Sequence, residues 1–146
     1  LGRDDELITP GHTGPARIVN PMSELSSAAV LGIALRELTD RMRALPESRL
    51  IGRVAAGEQL ARRLVEWAHG VEHRDRLPPP PVPELPHVGL FVTADQVAVV
   101  GADLVAAASG LPASTPVWVD GGTRQAPLAD VLAAAAAAVA DVRARL

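Results

Sequence analysis

Six prolines fall within residues 74–87, RDRLPPPPVPELPH. No other stretch restricts the fold so strongly. Proline lacks a backbone N–H and its ring clashes with the preceding helical turn, so neither a helix interior nor a sheet interior can run through this window. The segment is expected to be an extended polyproline spacer between the N-terminal and C-terminal portions of the chain. It also satisfies the loose P-x-x-P spacing of ligands for aromatic-lined grooves. A stiff linker laid over the surface is the plainer reading.

Before the prolines the pattern is helical. Ala28, Leu31, Leu35, Leu38, Met42 and Leu45 alternate spacings of three and four, which aligns them on one helical face. A first helix is expected over Ser23–Leu45, with Ser23, Ser26 and Ser27 offering cap hydroxyls and Pro46 as its stop. A second is expected over Glu47–His69, closed by Gly70. Its stripe is Leu50, Val54, Gly57, Ala61, Leu64 and Ala68, widened by Leu60, Trp67 and Val71. Glu58, Arg62 and Glu66 stand four apart on the opposite face, as on solvated helices. Gly52 and Gly57 cost helix propensity and imply that a neighbouring backbone comes close. The short link at Pro46–Ser48 suggests that the two helices form an antiparallel hairpin.

After the prolines, Val88–Val92 reads as a short buried strand. Thr93 and Gln96 have the spacing of a capping box, so a helix is expected over Ala94–Ser109. The β-branched residues at Val97, Val99 and Val100 fit a competing strand over Gln96–Val100. Pro116–Val119 reads as a strand, Asp120-Gly121-Gly122 as a tight turn, and Thr123–Gln125 as the returning strand. The last helix, Pro127–Arg145, carries Leu128, Leu132, Ala135, Val139, Val142 and Leu146 in a regular four-three repeat. Its run Ala133–Ala138 adds little buried area but permits close helix contact.

The expected fold is therefore α+β: an N-terminal antiparallel helical hairpin, a proline-rich linker, and a small C-terminal β-α-β-β-α module ending in an Ala-rich helix. Residues 1–21 hold three Gly and three Pro without an apolar period, and read as a tag or disordered leader. Residues 22–73 form the hairpin, 74–87 the linker, and 88–146 the module packed with the hairpin as one domain.

Composition narrows the chemistry. The 146 residues carry no Cys, which excludes disulfides, thiolate nucleophiles and Cys-ligated metal clusters. A net charge of −3, one Phe, two Trp and no Tyr argue against a surface that stacks nucleic-acid bases. The 14 basic residues are all Arg, so Schiff-base chemistry has no lysine to use. The 48% apolar content argues against disorder. Leu25–Leu35, the longest apolar run resembling a targeting signal, is too short to span a bilayer and lacks a basic flank. A cytoplasmic protein with no membrane or nucleic-acid partner and no cofactor is expected.

Two clusters could carry chemistry. His69 and His73 stand four apart, the spacing that places two imidazoles on one helical face as metal ligands. His69-Gly70-Val71-Glu72-His73 resembles the H-x-x-E-H pattern of inverted zinc peptidases. The resemblance covers five residues and implies ligand roles for His69 and His73 and a general base at Glu72. The sole Glu after the motif, Glu84, lies among the prolines, and Gly70 interrupts the helix. The second cluster is Trp118, Asp120 and Arg124 at the tight turn, with the composition of an interface hot spot. No phosphate-binding glycine loop and no nucleophile elbow is present.

The packing signals outweigh the chemical ones. The expected role is a non-catalytic interaction or regulatory domain that binds a protein partner or forms a homodimer through Ala-rich helices. Leu128, Leu132, Ala135, Val139, Val142 and Trp118 are the candidate interface. The alternative is a small metal- or ligand-binding enzyme with its site at His69, Glu72 and His73 or at Asp120 and Arg124.

Overall fold

The structure is a computed structural model that describes residues 26–87, 89 and 92–146. It is mixed helix and sheet, four long helices with one two-stranded antiparallel sheet. Helix α1 (Ser27–Ala44) begins where the Ser26 hydroxyl accepts from the Ala29 N–H at 3.1 Å. It ends at Leu45, whose backbone turns extended before Pro46. Its expected stripe is buried from Ala28 to Met42, and Thr39 joins it by donating its hydroxyl back to the Arg36 carbonyl.

The second expected helix is broken. A single turn, α2 (Glu47–Leu50), passes into a 3-10 turn at Ile51–Arg53 before α3 (Val54–Glu72) begins. Gly52 sits in this break with nothing near it, whereas Gly57 faces side chains. A Cβ on Gly57 would stand 2.8 Å from Thr93 Cγ2 and 3.1 Å from Met42 Cε. Close side chains, rather than a close backbone, exclude a larger residue there.

Helix α4 (Thr93–Ala108) resolves the choice between helix and strand in favour of helix. The expected capping box does not form. Thr93 lies inside the helix, fully buried, and its hydroxyl donates to Gly89 O at 2.9 Å. The Gln96 amide reaches Pro86 O instead. The strand expected at Val88–Val92 lies outside the described residues at 88, 90 and 91; Val92 is an exposed turn residue that leads into α4. The expected leader, residues 1–21, also lies outside them.

Strands β1 (Pro116–Val119) and β2 (Arg124–Pro127) pair from Pro116 opposite Pro127 to Val119 opposite Arg124. Between them Asp120, Gly121 and Gly122 all adopt positive φ, in keeping with the turn composition. Helix α5 (Leu128–Ala144) comes directly after β2. Asp130 in its first turn and Arg143 in its last suit the helix dipole.

The helices form a ring in the order α1, α4, α3, α5. The expected hairpin is thus corrected: α1 and α3 are not packed side by side but stand on a diagonal, with α4 between them. The turns at Glu47–Arg53 carry the chain across the end of the ring. The buried cluster draws on all four long helices and β1. Its largest members, Leu31, Leu38, Met42, Leu64, Leu104 and Leu128, are aliphatic, and both Trp residues sit at its margin.

Between α3 and α4 the proline segment runs without helix or strand, as expected. It is bound to the fold as a strap. Pro79, Pro80, Val82 and Leu85 are half-buried, and Pro81, Pro83, Glu84 and Pro86 are exposed.

Candidate functional site

Two regions warrant comparison as sites: the seam beneath the strap, and the grooves between helices.

The seam brings together residues far apart in sequence. Helix α3 runs on past the expected end at Gly70 as far as Glu72, because Gly70 is a contact point rather than a terminator. A Cβ there would overlap the Trp118 carbonyl oxygen. Only a residue without a side chain lets β1 cross this turn of α3. On the strap side, a Cβ on Gly122 would meet Pro79 Cγ at 2.8 Å.

Polar side chains fasten the same place. His69, buried, bonds through Nε2 to Pro80 O at 2.7 Å. A carbonyl only accepts, so the imidazole carries its proton on Nε2. His73 donates from Nδ1 to His69 O at 3.0 Å, and the two rings lie 4.2 Å apart. Trp118 Nε1 donates to Arg76 O at 2.9 Å. Glu66 accepts from the Gly121 N–H at 2.9 Å, so the expected Arg62–Glu66 pair does not form. Arg124 pairs with Asp120 across the turn.

The structure therefore unites His69 and Trp118, from the two sequence clusters, around one cavity that Glu66, Gly70, Pro80 and Gly121 also line. Its volume is about 10 Å³. A single water needs roughly that much. Among the described residues no group of three His, Asp or Glu is placed to hold a metal ion, so His69, Glu72 and His73 do not converge as a ligand set. The contributions of Gly70 and Glu66 to this seam were missed by sequence reasoning. Gly70 interrupts an otherwise strong stripe, a signal of close approach as well as of a helix end.

The grooves are different. One of about 410 Å³ runs between α1 and α4, lined by Gly32, Leu35, Thr39, Ala98, Ala102 and Val105, with Arg36 on its rim. A second, of about 400 Å³, lies between α3 and α5 and is lined by Ala56, Leu60, Arg63, Ala134, Ala138 and Asp141 among others. Arg63 folds over Trp67, 4.6 Å from the ring centre, beside this second groove. The expected α5 stripe lines neither groove along its length: Leu128, Leu132, Ala135, Val139 and Val142 are buried within the chain's own core. Ala135→Arg would place a charge in that core, so it would report on folding before association.

Compared with protein-family models, curated proteins and solved structures, the chain finds no match. No helix among the described residues is long and apolar enough to cross a membrane.

Proposed function

We propose that this chain is a non-catalytic interaction domain that self-associates through its Ala-rich helices. One observation carries the reading: His69 and Trp118, drawn from the two sequence clusters, border almost no free space. His69 and Trp118 are spent on backbone partners around a cavity of about 10 Å³; Glu66 bonds the Gly121 N–H there and also borders a space of about 300 Å³ with Arg62 and Glu84. The grooves of about 400 Å³ are lined largely by small aliphatic residues, which suits helix packing better than catalysis. In this reading residues 22–146 act as one domain, the prolines bind its halves together, and residues 1–21 are a leader.

Sedimentation equilibrium of the full chain tests the proposal. The mass is expected to rise with concentration from 15.2 kDa towards twice that value. A mass that stays monomeric up to about 1 mM, where only associations weaker than roughly 4 kcal/mol would escape detection, overturns it. The metal-binding form of the enzyme alternative, which the separated His69, Glu72 and His73 do not favour, makes a separate demand. It requires near-stoichiometric zinc in protein purified without added metal, lost in the double variant His69→Ala, His73→Ala.

A further inference from the structure

Self-association leaves the P-x-x-P spacing of the proline segment without a role. The fold divides that segment into an inner and an outer side. Pro79, Pro80, Val82 and Leu85 are half-buried, whereas Pro81, Pro83, Glu84 and Pro86 face solvent. Pro83 and Pro86 are therefore a P-x-x-P pair with both rings exposed. Pro80 and Pro83 are not, because Pro80 is half-buried and its carbonyl is held by His69.

Three contacts hold this stretch in place. His69 reaches Pro80 O at 2.7 Å, Gln96 reaches Pro86 O at 3.2 Å, and His87 Nδ1 stands 2.7 Å from Glu58 Oε2. From Pro79 to His87 the chain has no helix, strand, turn or bend. The backbone has little choice there. A proline ring fixes φ, and a residue before proline is kept out of the helical region. From Pro78 to Pro86 every residue except Glu84 is a proline or precedes one. The outer side is thus a ridge ordered before any partner arrives.

The ridge has a definite chemistry. Pro81, Pro83 and Pro86 have no N–H to donate. Among the described residues nothing donates to the carbonyls of residues 81–85. Glu84 has no ion-pair partner among them either. Beside the ridge lies a recess of about 300 Å³. Val65, Val82 and Leu85 supply its apolar wall, and Arg62, Glu66 and Glu84 its charges. Arg62 already faces Glu58 at 3.7 Å, which leaves this surface acidic on balance.

We infer that the outer ridge, centred on Pro83 and Pro86, binds a separate protein through an aromatic-lined groove with a basic flank. Trp and Tyr meet both demands of the ridge, a flat ring for the pyrrolidines and an N–H or O–H for the free carbonyls. Glu84 and Glu66 select Arg or Lys beside that groove. The inference goes beyond self-association, which uses other surfaces.

The probe is a purified WW domain of net positive charge, a module with an aromatic groove for proline motifs. Calorimetry and amide NMR of the full chain read the binding, and circular dichroism confirms the fold of each variant. Amide shifts are expected at Val82, Glu84, Leu85 and His87. The full chain is expected to bind about tenfold or more tighter than a synthetic peptide of residues 78–87, because its ridge is already ordered. The double variant Pro83→Ala, Pro86→Ala is expected to weaken binding about tenfold, and Glu84→Lys about threefold. His69→Ala, which releases Pro80, is expected to bring the full chain towards the free peptide. No binding at about 1 mM, shifts centred away from the strap, a peptide that binds as tightly as the full chain, or an affinity that the Pro83, Pro86 and Glu84 variants leave unchanged overturns the inference. A chain that binds the domain yet stays monomeric upholds it and overturns the self-association reading alone.

Discussion

The seam under the proline strap and the groove between α1 and α4 are opposites in chemistry and in space. The seam holds two histidines, a tryptophan, a glutamate and three glycines, yet its cavity is about 10 Å³. The groove holds alanine, glycine, leucine and valine with an arginine at its edge, and its volume is about 410 Å³. Residue types that carry catalysis elsewhere here hold a segment that cannot make its own ladder hydrogen bonds. Proline carbonyls still accept, and His69 and Gln96 supply donors to Pro80 and Pro86. A cluster of functional residue types is therefore informative only with the free volume beside it.

Adding or removing side chains in each region breaks or sharpens this contrast. Gly70→Leu is expected to be the most damaging substitution, costing about 3 kcal/mol or more, because its Cβ would overlap the Trp118 carbonyl and neither backbone can yield cheaply. Urea denaturation measures it, and a loss under about 1 kcal/mol would mean that β1 does not cross α3 there. His69→Ala should come next, at about 2 kcal/mol, since it removes a buried ring and leaves Pro80 O without its donor. Equal stability of variant and wild type would show that the strap is not fastened at that point. Trp118→Phe keeps most of the apolar ring and deletes the donor to Arg76 O, for about 1 kcal/mol in the same assay. Ala102→Leu at the open groove should change monomer stability by no more than about 0.5 kcal/mol. A larger loss would show that the groove is closed against its own chain.

Much of the local structure is legible from particular residues. The three-four spacing from Ala28 to Met42 and from Leu128 to Val142 locates α1 and α5 within a few residues and identifies their buried faces. Asp120-Gly121-Gly122 locates the hairpin turn. The misreadings share one cause. Gly70 reads as a helix end, and Thr93 with Gln96 as a capping box, when only neighbours in sequence are considered. Each is instead governed by something distant: the Trp118 carbonyl for Gly70, the Gly89 and Pro86 carbonyls for Thr93 and Gln96. A short link suggests a hairpin of the first two helices, but the added turns at Glu47–Arg53 let that link cross the ring.

The candidate sites divide along the same line. His69, Trp118, Asp120 and Arg124 stand out by their types and spacing. That His69 and Trp118 meet at one seam, and that the meeting leaves almost no space, is a consequence of β1 crossing α3. The outward face of α4 is hidden in the sequence because its valines fit a strand as well as a helix.

The sequence by itself determined where α1 and α5 run, which of their faces turns inward, and that residues 74–87 form neither helix nor strand. Those properties depend on side-chain period and on the proline ring, both local. Only the tertiary structure decided that α4 lies between α1 and α3, that Gly70 admits a strand, and that the strap is pinned by His69. An apolar stripe specifies that it will be buried but not against what. The partner is chosen by the combined fit of segments from the whole chain, and no local period encodes that fit.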